Sequence, residues 1–123
     1  TALDFIATAE KFKGTPYMQG GVGAYGIDHA GLIYICGLVN GKSLPRSTNL
    51  QIEAGKAIDV SGIAPGDLIF FHVKWNDNEI DDAGIYIGND RFIHASRVKG
   101  HVIESSFDDE NFRDRIAFLR RIF

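Results

Sequence analysis

Apolar residues recur at helical spacing from the start of the chain. Leu3, Phe5, Ile6, Ala9 and Phe12 share one side of a helix that Thr1 can cap and that Gly14 and Pro16 end. The stretch 20–26 carries Gly20, Gly21, Gly23 and Gly26. It is too irregular for a phosphate loop, lacks the Lys-Ser/Thr ending, and follows no strand pattern. Asp28 then reads as the N-cap of a second helix bearing Leu32, Ile33, Ile35, Cys36 and Val39, stopped near Gly41. Thr48 with Gln51 has the spacing of a capping box, which predicts a short third helix closed by Gly55.

The period changes in the second half. Pro65, Gly66 and Asp67 are turn chemistry ahead of the apolar run Leu68, Ile69, Phe70, Phe71. Stretches 83–87 and 91–94 predict two strands joined at Gly88, Asn89 and Asp90, a hairpin signal. Further strands are expected at 101–104 and 116–122, and 74–82 reads as a polar, acidic loop and the most mobile part of the chain. Helices first and an antiparallel meander second predict an α+β fold. Its N-terminal helices pack on a sheet of about five strands, within a single domain over 1–123.

Composition narrows the partners. Thirteen Lys and Arg against sixteen Asp and Glu leave a net charge of −3, without the basic footprint of a nucleic-acid binder. Hydrophobic residues at 45% and charged residues at 24% exclude a disordered chain. No apolar run approaches the ~18 residues of a membrane helix. Cys36 is the sole cysteine, so neither an internal disulfide nor a cysteine-rich zinc site can form. No signal peptide is visible, Thr1 reads as a processed end or a boundary, and a monomer is expected since nothing suggests a large apolar interface.

A resemblance emerges from blocks spread over nearly the whole chain. They are Gly14-Thr15-Pro16-Tyr17, Gly20-Gly21, Gly26-Ile27-Asp28 and Gly31-Leu32, then Leu44-Pro45-Arg46 and Gln51. Pro65 through Phe71, Gly84-Ile85-Tyr86-Ile87-Gly88 and Phe92-Ile93-His94-Ala95-Ser96 complete the set. In this order and spacing they resemble the NlpC/P60 cell-wall peptidases, which implies a papain-like fold. Members of that family cut amide bonds in peptidoglycan stem peptides with a Cys nucleophile, a His base and a third polar residue, often His. The resemblance implies a stem peptide or related peptide as partner, a location in the cell envelope or outside the cell, and no cofactor.

Against that pattern this chain departs at the chemistry. The nucleophile position after Asp28 is His29, followed by Ala30 where the family has Ser. The base position, in the stretch Asp81-Asp82-Ala83-Gly84, is Asp82. His94 keeps the third position, Gln19 stands where an aromatic is usual, and Tyr17 is implied to line the pocket. The two replacements, each beside an alanine (Ala30, Ala83), are what either drift or deliberate remodelling would leave. Cys36 lies about 10 Å further along the helix at 1.5 Å per residue and reads as a buried apolar thiol.

Three readings of His29, Asp82 and His94 stand side by side. The first is an inert pocket on a peptidase scaffold, inactive as a thiol peptidase and able to bind cell-wall peptide. In the second, the three residues ligate zinc or another divalent transition metal. The third is a metal-free dyad, with His29 as base or nucleophile oriented by Asp82. A helix N-terminus would keep His29 neutral, while Asp82 would favour its charged form. The remaining candidates have plainer roles. His72 and His101 read as ordinary partly exposed residues. Asp77, Glu79 and Asp81 alternate like a calcium loop, but Asp82 stands where the loop needs Gly. Arg113, Arg115, Arg120 and Arg121 read as decoration of a helix or strand face.

Overall fold

Thr1 and Asp4 cap each other's backbone at the start of α1 (Ala2–Lys11), the threonine hydroxyl accepting from the Asp4 N–H at 3.1 Å. The computed structural model describes residues 1–123, the side chain of Glu110 excepted. After α1 comes a small antiparallel ribbon of β1 (Val22–Gly23) and β2 (Gly26–Ile27), then α2 (His29–Val39), with Asp28 as N-cap. Helix α2 is apolar on most of its surface because it is enclosed. Leu32, Ile33 and Cys36 are fully buried between α1 and the sheet.

The third helix, α3 (Thr48–Gln51), departs from the expected capping box. Thr48 is its first helical residue, and Ser47 at the cap position makes no side-chain capping bond. Gln51 is buried and donates instead to the carbonyls of Ala30, at 3.0 Å, and Pro45, at 2.8 Å. Its amide ties α3 to the first turn of α2, a contact between elements distant in sequence.

The sheet has six antiparallel strands in the order β3-β8-β4-β5-β6-β7. They are β3 (Lys56–Ala57), β4 (Leu68–Val73), β5 (Asn76–Gly88), β6 (Arg91–Ser96), β7 (His101–Ser106) and β8 (Ile116–Arg121). Five were expected; β3 is two residues long, too short for any alternation to reveal. The predicted loop over 74–82 is largely strand. Lys74 and Trp75 turn the chain, and β5 begins at Asn76, paired back onto β4 through two register shifts. Residues 76–79 are exposed, and their polarity marks a hairpin projecting beyond the core rather than irregular backbone. The β5–β6 turn has Asn89 and Asp90 at φ 55 and 61, the left-handed pair that a tight hairpin requires and that these residue types tolerate.

Alternation along the strands builds a core on each face. Phe70, Ala83, Ile85, Ile93, Ala95 and Val102 meet α1 and α2 through Phe5, Ala9, Leu32 and Ile33. On the other face Ile69, Phe71, Tyr86 and Phe92 pack beneath Phe107 and Phe112, the latter carried by the 3-10 segment Asp109–Arg115. His94 shares the face of Phe92, two residues away on β6, and stacks edge-on against Phe112.

Candidate functional site

The N-terminus of α2 is organised by Asp28, which is 5% exposed. Its carboxylate accepts from the Gly31 N–H at 2.6 Å, the Gly20 N–H at 2.8 Å and the Arg46 guanidinium at 3.1 Å. Burial alone would raise its pKa; the Arg46 and backbone donors outweigh that and hold it below the usual carboxylate range. The glycine-rich stretch closes over this turn. A Cβ on Gly31 would sit 2.2 Å from the Gly21 carbonyl oxygen, so only glycine fits there.

His29 is the first residue of α2 and is half-buried. Burial lowers its pKa more than Asp82, Asp28 and Asp81 raise it, leaving a neutral imidazole at pH 7. Desolvation, rather than the helix terminus, is the principal cause of the lowering. Cys36, two turns on, is fully buried, and burial pushes its thiol up to about 12.

The sheet supplies the other half. Asp82 on β5 and His94 on β6 are joined by a bond of 2.7 Å between the Asp82 carboxylate and His94 Nδ1. An ionised carboxylate can only accept, so the proton lies on Nδ1. Nε2 lies 2.9 Å from the hydroxyl of Ser105 on β7 and, in the neutral ring, accepts from it. The second Asp82 oxygen accepts from the Ala83 N–H at 2.8 Å. His94 is 2% exposed and Ser105 5%. The dyad expected between His29 and Asp82 is therefore formed by His94 and Asp82, because adjacent strands bring those side chains together. Nothing in the sequence singles out Ser105. It comes beside His94 through the β6–β7 register, which pairs Phe92 with Ser105 and Ile103 with His94.

His29, Asp82 and His94 do converge, lining a narrow cavity of about 60 Å³ with Asp81, Arg97 and Arg115. They do not fit a metal. Asp82 is bonded to His94 Nδ1 and Nε2 faces the Ser105 hydroxyl, so the three side chains are aimed at these partners rather than at one centre. Among the described residues, no group of three ligating side chains is disposed around a common point. The zinc reading is therefore dropped. A roomier cavity of about 410 Å³ lies beyond His29, lined by Gln19, Gly20, Asp28, Arg46 and Thr48.

Tyr17 is half-buried against the helix-side core, and its hydroxyl donates to Gln19 at 3.3 Å. Burial, followed by the Asp28 charge, raises its phenol pKa. The secondary candidates are structural. His72 Nδ1 donates to the Val73 carbonyl, and His101 is exposed. Asp77 and Glu79 lie on strand β5 rather than in a loop. Asp81 pairs with Arg115 at 3.3 Å, and Arg121 pairs with buried Asp67 at 2.8 Å.

Known proteins share this arrangement of elements. A family model described as NlpC/P60 matches residues 14–121. The chain is 30% identical over its whole length to a gamma-D-glutamyl-L-lysine dipeptidyl-peptidase of Bacillus subtilis, covering 42% of that protein. It is 37% identical over 114 residues to a probable endopeptidase, NlpC, of Escherichia coli, a match spanning 92% of this chain and 73% of the relative. The crystal structure of an NlpC/P60 family protein from Bacillus cereus superposes on 99% of this chain and 40% of its own, with a TM-score of 0.93 and 29% identity. This chain thus spans less than half the length of two of these three proteins. With a family model matched over residues 14–121 and a relative 37% identical across 92% of this chain, the chain belongs to the NlpC/P60 family.

Proposed function

We propose that this domain recognises peptidoglycan stem peptides, in the cell envelope or outside the cell, as a monomer and without thiol hydrolysis. The observation that carries this reading is that residue 29 is a histidine while the chain's one cysteine, Cys36, is buried. The residue after the Asp28 cap, where the family places its nucleophile, carries an imidazole. The chain's one thiol is sealed in the core with a pKa of about 12, so it supplies no thiolate near neutral pH. The cleft beside residue 29 offers room for a ligand. The Asp28–Arg46 pair and Gln19 line a cavity of about 410 Å³, within the range of small-ligand sites. Tyr17 supports that wall through Gln19.

Calorimetric titration with a purified stem tetrapeptide, alongside incubation with muropeptides with and without iodoacetamide, tests the reading. Saturable heat with no cleavage is expected. Cleavage abolished by the alkylating agent would overturn the chemical half, and absence of binding would overturn the recognition half. Cys36 should resist alkylation in the native protein and react in denaturant, which provides the control.

A further inference from the structure

Ser105, His94 and Asp82 lie in one hydrogen-bonded line, with Oγ to Nε2 at 2.9 Å and Nδ1 to the carboxylate at 2.7 Å. A hydroxyl, a base within reach of it and a carboxylate fixing the base's tautomer are the parts of an activated serine. The line is rigidly placed. Its members sit on three neighbouring strands, and the imidazole packs against the Phe92 and Phe112 rings, whose centroids lie 4.8 and 5.5 Å away. His94 and Ser105 also line a cavity of about 400 Å³ that His29 does not reach, walled by Ile103 and Phe112 and carrying Lys99, Glu104 and Asp109. Room for a small ligand therefore exists at the hydroxyl end of the line.

The geometry points to a serine-based hydrolytic site in this second cavity, with Ser105 as nucleophile, His94 as base and Asp82 as orienting carboxylate, acting on short-chain carboxylic esters. Ser105 Oγ bonds to the acyl carbon while its proton passes to His94 Nε2. The ester C–O bond then breaks, and the Nε2 proton leaves with the alkoxide as an alcohol. Water attacks the acyl-serine and gives a proton to Nε2, the acid departs, and that proton returns to Ser105 Oγ. Lys99, which lines the cavity together with Glu104 and Asp109, is the side chain assigned to the tetrahedral oxyanion. An ester suits the site better than an amide, because its leaving group departs with less assistance. Two of the three residues occupy family site positions, but the cavity, the nucleophile and the bond cut are different. The inference stands whether or not a stem peptide binds.

The whole chain should hydrolyse p-nitrophenyl acetate and be labelled by diisopropyl fluorophosphate, with the label mapped to Ser105 by peptide mass spectrometry. Ser105→Ala should remove the label, and His94→Gln should slow hydrolysis by about 10²-fold or more. Asp82→Asn should slow it comparably and alter the pH profile, because the ring then loses its fixed tautomer. His101→Ala, an exposed histidine outside the cavity, should leave the rate unchanged. Ser105→Cys, should Ser105→Ala not fold, ought to be alkylated at a rate that falls on adding His94→Gln. Labelling elsewhere, or a rate indifferent to His94, overturns the proposal.

Discussion

His29 and His94 line the same small cavity and face the same carboxylate, yet their surroundings treat them in opposite ways. His94 lies on β6, with Asp82 and Ser105 on the flanking strands each bonded to one ring nitrogen, so its tautomer and orientation are specified. His29 sits at the start of α2, where the bonds that define the site run around it, from Asp28 to Gly31, Gly20 and Arg46. Those bonds satisfy backbone donors that any side chain at residue 29 would leave in place. The helix terminus can therefore exchange its reactive group with the fold intact, whereas the sheet pair is a specific interaction that a substitution breaks.

The sharpest way to break this comparison is to place a thiol and an imidazole at the two positions that the proposed reading treats as replaced. The double variant His29→Cys with Asp82→His should acquire alkylation-sensitive cleavage of a stem peptide. His29→Cys alone should fall short of it by about 10²-fold for want of a base. A folded but silent double variant would show that the cleft no longer presents a peptide carbonyl to residue 29. Next in size is the backbone of the α2 terminus. Gly31→Ala forces a methyl into the Gly21 carbonyl and should cost about 3 kcal/mol in denaturant unfolding. Asp28→Ala should cost about 2 kcal/mol, the upper end for an N-cap, because Gly20 and Arg46 lose their acceptor with Gly31. An unchanged midpoint in either variant would dissolve the distinction between a structural frame and a replaceable residue 29.

The smallest effect is a titration. Burial holds the His29 pKa below its ordinary value of 6.5, so just below that pH the unfolded chain binds more protons than the folded one. Stability attributable to His29 should therefore be highest above pH 6.5 and fall as pH drops through it. His29→Gln should flatten that slope. Asp28 acts in a separate range, because its folded pKa is lowered. Its contribution is present above the unfolded carboxylate value near 3.8 and is lost only as pH falls through its own lower value. Melting temperatures of wild type and H29Q between pH 5 and 8 isolate the histidine, and superimposable curves would refute the burial argument.

Much of the frame could be read before any coordinates. Thr1, Asp28 and the residues around Gly88 announce their roles because caps and tight turns are satisfied within a few residues. The apolar runs at 68–71, 83–87 and 91–94 became strands because periodicity reports which face is enclosed. The polar stretch 74–82 misled because composition measures exposure, and an exposed hairpin is as polar as a loop. The spacing of Thr48 and Gln51 misled because an amide that could cap its own helix was claimed by carbonyls of Ala30 and Pro45.

Local sequence by itself determined the helix starts, the turns, the amphipathic order of the strands and the absence of a thiol after Asp28, since each depends on residues close together in the chain. Tertiary structure alone decided which imidazole Asp82 would hold and that His94 would lie between a carboxylate and a hydroxyl. A hydrogen bond between strands depends on register, and register is set by the packing of whole sheet faces rather than by the residues that meet.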